Sequence, residues 1–167
     1  AKEFVPETMF TEITAEAGIE FEHNNGAVGD KLLPESMGSG VAFFDFDVDG
    51  DQDLLFINGT WWPWDIKKKP ELKPTTSGLY RNDGNGVFED VTVGSGLDVA
   101  FYGMGVAIGD YDNDGLPDIY CTAVGSNRMY RNLGDGKFTD TTEVAGVSGD
   151  ENEWSTSAAF ADIDNDG

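Results

Sequence analysis

Asp45, Asp47, Asp49, Asp51 and Asp53 alternate along the stretch DFDVDGDQD, with Gly50 near its middle. Asp110, Asp112, Asp114 and Asp118 fall in the same frame in DYDNDGLPD, again with a glycine, Gly115, at the sixth place. A third copy begins with Asp162, Asp164, Asp166 and Gly167. Carboxylates at positions 1, 3, 5 and 9 of a loop that turns sharply at a glycine can converge on one point. The backbone carbonyl of position 7, here Asp51 or Leu116, fills a further place. Such an oxygen-only donor set suits Ca²⁺ and suits Mg²⁺ poorly.

The charges argue in the same direction. Two carboxylates ~4 Å apart repel by roughly 1 kcal/mol in water and about 4 kcal/mol at an intermediate dielectric. Several converging carboxylates multiply that cost, so the loops are expected to splay without a cation. A single DxDxDG can be a solvated acidic turn; three copies in matching contexts weigh against it.

An EF-hand would need an acidic residue at position 12 and a helix on each side. Position 12 is Phe56 in the first loop and Cys121 in the second, and the flanks are Val41-Ala42-Phe43-Phe44, Leu54-Leu55-Phe56-Ile57, Val106-Ala107-Ile108 and Ile119-Tyr120-Cys121-Thr122. Short runs rich in β-branched and aromatic residues read as strands buried on both faces. The expected unit is strand, calcium loop, strand.

At 167 residues with 39% hydrophobic and 12% aromatic content, the chain can bury a core of its own. Its net charge is −22, and twelve of its 32 acidic residues lie in the three loops. Three Ca²⁺ would bring −22 only to −16 (−22 + 6), a surface that argues against nucleic acid and anionic membrane as partners. The lone Cys121 allows no intrachain disulfide and reads as a small buried hydrophobe. No apolar run approaches transmembrane length, so no membrane insertion is expected. The start at Ala1-Lys2-Glu3, with neither Met nor a signal peptide, suits a processed exported protein or an excised fragment. Low-affinity calcium loops work at roughly 0.1–1 mM Ca²⁺, a secreted, extracellular or cell-surface condition.

The surroundings of the loops repeat too. Leu79-Tyr80-Arg81-Asn82 leads through Gly84-Asn85-Gly86 to Phe88-Glu89-Asp90-Val91-Thr92, and Met129-Tyr130-Arg131-Asn132 leads through Gly134-Asp135-Gly136 to Phe138-Thr139-Asp140-Thr141-Thr142. Each reads as a hairpin closed by a small turn, Ser95-Gly96-Leu97 or Ala145-Gly146-Val147. Four strands per unit make an antiparallel propeller blade. The predicted architecture is all-β, with blades at about 38–97 and 103–147, a third starting at 155–167, and an orphan outer strand at 9–14 before Ala17-Gly18-Ile19. Two blades cannot close a ring. Either the chain is part of a longer propeller or neighbouring subunits supply the missing strands.

Two insertions interrupt the period. Residues 20–37 carry the only histidine, His23, which reads as a loop or capping residue because no nucleophile partner stands out. Residues 59–77 hold Trp61, Trp62 and Trp64 with Lys67, Lys68, Lys69 and Lys73, and their prolines predict a loop. Its tryptophans either pack on the propeller face or form a contact surface. Asn58-Gly59-Thr60 is an N-glycosylation acceptor pattern.

The run Gly40-Val41-Ala42-Phe43-Phe44-Asp45 through Asp53-Leu54, followed by Leu79-Tyr80-Arg81-Asn82 and the Phe-x-Asp-x-Thr strand, resembles the FG-GAP/VCBS repeat. Pro34-Glu35-Ser36-Met37-Gly38-Ser39-Gly40 is similar to the cartilage acidic protein and ASPIC/UnbV group, although no ASPIC/UnbV domain is visible. The resemblance implies a secreted, integrin-α-like seven-bladed propeller with Ca²⁺ in its loops. It implies side-chain ligands Asp45, Asp47, Asp49 and Asp53, then Asp110, Asp112, Asp114 and Asp118, with carbonyls from Asp51 and Leu116. Asp162, Asp164 and Asp166 supply half a site.

The expected function is a non-catalytic, calcium-stabilised extracellular module for adhesion, matrix or surface assembly, with protein or glycan partners or self-association. One alternative is a filament subunit whose blades are completed between chains. Another is a lectin or hydrolase with its site in absent blades. The conspicuous acids are committed to the loops and no nucleophile–base pair is readable, so the expectation is not an enzyme.

Overall fold

The computed structural model describes residues 9–163. Asp164 and Asp166 therefore lie outside the described residues. The fold is all-β, built on two four-stranded antiparallel sheets, each with its strands in chain order. The first comprises β1 (Val41–Phe44), β2 (Asp53–Phe56), β3 (Gly78–Asn82) and β4 (Phe88–Asp90); the second comprises β5 (Gly103–Gly109), β6 (Asp118–Ala123), β7 (Arg128–Asn132) and β8 (Phe138–Asp140). Each Asp loop joins the first two strands of its sheet, and each Gly-x-Gly turn joins the last two.

Register explains the core. Ala42 opposes Leu55 and Leu55 opposes Leu79, while Ile108 opposes Ile119 and Ile119 opposes Tyr130. Period-two alternation puts each row on one face, and the two rows meet between the sheets with Phe44, Phe46, Ile57, Cys121 and Phe138. Cys121 is 2% exposed, and burial pushes its thiol up to about 12, so it acts as a small core hydrophobe.

The two sheets are joined by backbone as well as by packing. The Phe138 amide donates to the Ser95 carbonyl at 2.7 Å, and Gly96 lies so close to the Phe138 carbonyl that a Cβ there would collide with it. The same joint occurs one unit earlier, where the Phe88 amide donates to Ala17 at 2.8 Å and Gly18 approaches the Phe88 carbonyl. Residues 17–19 thus stand to the first sheet as residues 95–97 stand to the second.

Four expectations need correction. β1 is not buried on both faces: Val41 and Phe43 are 54% and 64% exposed, against 5% for Phe44. β1 is an edge strand, and the far face of its sheet is covered mainly where Phe21 stacks on Phe56 at 4.7 Å. Residues 9–14 form no strand, because no described strand pairs with them; Met9 and Phe10 are exposed. Residues 155–162, where the third blade is expected to open with a strand, form no regular strand either. Ser155 donates to Ala123 as Gly103 donates to Asn58, the placement of a next first strand, but no ladder follows among the described residues. The 59–77 insertion is not wholly irregular, since Pro63–Lys68 form a short helix, α1, with Pro63 in its first turn.

That insertion packs against the 20–37 insertion. Trp62 is buried, stacked between Trp64 at 5.1 Å and Tyr102 at 4.5 Å, and its indole N–H donates to Glu35 at 3.0 Å. Trp64 is 44% exposed, so the tryptophans divide between core and surface. A second short helix, α2 (Thr142–Ala145), precedes the turn at Gly146. Among the described residues no helix is long and apolar enough to cross a membrane.

Candidate metal centre

The two Asp loops have the same internal wiring. Asp45 accepts from the amides of Asp49 and Gly50 at 3.0 and 2.9 Å, and Asp110 accepts from Asp114 and Gly115 at 3.1 and 2.8 Å. Asp49 accepts from the Asp51 amide at 2.9 Å, and Asp114 from the Leu116 amide at 3.0 Å. Position 4 is left-handed in both, with φ 60° at Val48 and 57° at Asn113. The first carboxylate therefore collects the loop's own amides, which bends the backbone around it.

Asp53 and Asp118, at position 9, are fully buried. Each carboxylate bridges two amides: Asp53 takes Phe46 at 3.0 Å and Asn82 at 2.8 Å, and Asp118 takes Tyr111 at 3.0 Å and Asn132 at 2.7 Å. They tie the start of the loop to the third strand of the sheet. Burial pushes Asp53 up to about 6, against the two amides that favour its charged form, and raises Asp118 for the same reason.

The carboxylates do gather. Oxygens of Asp45, Asp47 and Asp49 lie within 4.8 Å of one another, and so do those of Asp110, Asp112 and Asp118. Asp53 is outside the first group and Asp114 outside the second. Asp51 and Leu116, the expected carbonyl donors, occupy the seventh places, with the Asp51 side chain against Gly84. Asp162 is described, but its companions Asp164 and Asp166 are not, so the third loop's geometry lies outside the described residues.

The first loop fits a hard cation. Asp47 Oδ1 is shielded from solvent and has no hydrogen-bond partner among the described residues. Burial raises the Asp47 carboxyl above its ordinary value, and the neighbouring Asp49 and Asp45 charges raise it further. No ion pair reaches Asp45, Asp47 or Asp49 among the described residues. Clustered carboxylates, one with an unpartnered oxygen, form the all-oxygen donor set that Ca²⁺ takes. A cleft of about 590 Å³ between the sheets, lined by Asp47, Asp49, Arg81 and Lys137, opens onto this loop.

The second loop has a protein cation beside it. Arg131 Nε lies 2.5 Å from Asp112 Oδ2, a charge contact without hydrogen-bond alignment, and Arg131 donates to Asp114 Oδ2 at 2.8 Å. Asp114 is held below the usual carboxylate range first by the Leu116 amide and then by Arg131.

Sequence reasoning assigned no role to the Asn of Tyr-Arg-Asn. Asn82 donates to the Gln52 carbonyl at 2.9 Å, and Asn132 donates to Pro117 at 3.1 Å and across to Phe46 of the first loop at 2.8 Å. Its recurrence at the same place in both hairpins was the available signal. Phe46, 1% exposed, is wedged between the sheets near Phe44 and Phe138. His23 is exposed and 3.0 Å from Ser39 Oγ, whose hydroxyl donates to the Gly103 carbonyl and so leaves its oxygen to accept from the imidazole.

The FG-GAP-like repeat family matches residues 73–121 and 113–167. The chain belongs to that family. The second Asp loop lies inside the matched residues; the first precedes them and is tied to the repeat by its identical wiring. Cartilage acidic protein 1 of Mus musculus is 34% identical over 131 residues, covering 78% of this chain and 20% of the relative. Cartilage acidic protein 1 of Xenopus tropicalis is 36% identical over 98 residues, covering 58% of the chain and 15% of the relative. The Homo sapiens protein of that name is 34% identical over 98 residues, covering 58% and 14%. The chain spans a fifth or less of the length of these relatives.

Proposed function

We propose that this chain is a non-catalytic, calcium-stabilised FG-GAP module that works outside the cell in adhesion, matrix or surface assembly. The observation that carries the reading is the Asp45–Asp47–Asp49 cluster, with its unpartnered Asp47 oxygen, in a loop that also positions Phe46 between the sheets. Bound Ca²⁺ would neutralise carboxylates that otherwise repel one another. Asp45, Asp47 and Asp49 would hold it in the first loop, and Asp110, Asp112 and Asp118 in the second. The same chemistry supports an extracellular setting, where low-affinity calcium loops are filled, and the relatives named cartilage acidic protein 1 support a matrix role. Calorimetric titration of Ca²⁺ into this chain tests the reading. Heat from saturable binding is expected, and Asp47→Ala should abolish the first-loop component. No saturable heat up to several millimolar Ca²⁺ would contradict it.

Trp64 offers a contact surface for that role. It is exposed, and its ring is held nearly parallel to Trp62 with 3° between planes, a rigid apolar platform of the kind that anchors contacts. Trp64→Ala should weaken binding to a protein or glycan partner without lowering the melting temperature by more than about 2 °C.

A further inference from the structure

The two loops share every backbone hydrogen bond described above, yet their carboxylates are arranged differently. The first gathers positions 1, 3 and 5; the second gathers positions 1, 3 and 9, and its position-5 carboxylate, Asp114, belongs to Arg131. The source of the difference lies in the hairpin beside each loop. Arg81 and Arg131 occupy the same place in β3 and β7. Arg81 is opposite Glu89 and pairs with it at 2.6 Å. Arg131 is opposite Thr139, which has no charge to hold it, and reaches Asp112 and Asp114 instead.

We propose that Arg131 is a built-in competitor for the second cation site, so that the two loops are unequal and the choice between Glu89 and Thr139 sets the inequality. The proposal rests on the reading that both loops take Ca²⁺. In the first loop Glu89 holds Arg81, whose charge acts on Asp47 without pairing with it, and a dissolved cation is left to supply the direct neutralisation. In the second, the guanidinium already neutralises two of the carboxylates, and Ca²⁺ must displace it or bind beside its charge. The second loop thus stays ordered at low Ca²⁺, whereas the first responds to the ion. An ion pair this open to solvent is weak, so the affinities should differ by only roughly 5-fold.

The test is a Ca²⁺ titration of this chain followed by the backbone amide resonances of Gly50 and Gly115, which donate to Asp45 and Asp110 and report each loop separately. The Gly50 resonance should reach its midpoint at about 5-fold lower Ca²⁺ than the Gly115 resonance. Arg131→Gln and, independently, Thr139→Glu should each bring the Gly115 midpoint down toward that of Gly50 and leave Gly50 in place. Glu89→Thr should raise the Gly50 midpoint. Glu89 and Thr139 are both exposed, so these two exchanges test the idea even if Arg131→Gln unfolds. Equal midpoints in the unmodified chain, or a Gly115 midpoint unmoved by Thr139→Glu, overturn the inequality while leaving the calcium reading intact. If neither resonance responds to Ca²⁺, the calcium reading falls and the proposal falls with it.

Discussion

Two side chains show how much a single position carries. Val48 sits at φ 60°, a left-handed conformation that β-branched residues resist, while its counterpart in the second loop is Asn113 at φ 57°. The conformation costs a β-branched residue about 1–2 kcal/mol and an asparagine less. The hydrogen bonds gathered by Asp45 hold it there. Val48 is 57% exposed, so little packing is lost on replacement. Val48→Asn should therefore stabilise the chain by roughly 0.5–1 kcal/mol in urea denaturation; a loss of stability would show that the valine is held for its contacts. Asn58 is the opposite case. It is 3% exposed, its amide donates to the Glu22 and Thr76 carbonyls at 3.3 and 3.0 Å, and its oxygen accepts the Asn24 amide at 2.7 Å. The acceptor pattern at Asn58-Gly59-Thr60 is thus built into the joint between the two insertions and leaves no room for a glycan in the folded chain. Asn58→Ala should cost about 2–4 kcal/mol by the same denaturation assay, because three backbone groups lose their partner. A cost below about 0.5 kcal/mol would mean water replaces the side chain.

At the scale of the element, the joint between blades is a turn docked on an outer strand. Gly96 at φ 95° lies where a Cβ would meet the Phe138 carbonyl, whereas at Gly146, φ 68° in the equivalent turn, a Cβ would meet nothing within 4 Å among the described residues. Gly96→Ala therefore suffers both the left-handed backbone and a collision, and Gly146→Ala only the first. We expect losses of about 3–5 kcal/mol and about 1–2 kcal/mol, respectively, measured as shifts in the unfolding midpoint. Equal losses would mean the docked turn bears no load. The strands and Asp loops were legible in the sequence because both are local: alternation gives the strand, and aspartate spacing around a glycine gives the turn. Residues 9–14 form no strand because a strand needs a partner in the ladder, and the described residues offer Phe10-Thr11-Glu12-Ile13-Thr14 none, although the glycine turn after it does dock. The helix at Pro63–Lys68 was missed because it is too short for periodicity to appear, and its start depended on reading Pro63 as a first-turn residue. Arg131 could not be separated from Arg81 by motif alone; the cross-strand partner that distinguishes them appears only once the register is known.

At the scale of the molecule, the first Asp loop is where the local and global arrangements meet. Phe46 follows the first aspartate of the loop and is buried between the sheets, and its carbonyl is held by Asn132 from the next sheet. The matching residue of the second loop, Tyr111, is 37% exposed and lines an apolar cleft of about 410 Å³ with Tyr120, Met129 and Phe160. Ordering the first Asp loop therefore fixes the aromatic residue that wedges one sheet against the next, which would make a cation bound there part of the inter-blade joint. Calorimetric melting in excess Ca²⁺ and in excess chelator, on the same chain at the same pH, tests this most directly. At a hundred times its Kd, one site adds about 2.7 kcal/mol, which for a chain of this size corresponds to a rise of roughly 5–10 °C. The account predicts a single transition that moves up by at least that much with Ca²⁺, with Asp47→Ala losing much of the increment; superimposable melts in Ca²⁺ and chelator would contradict it.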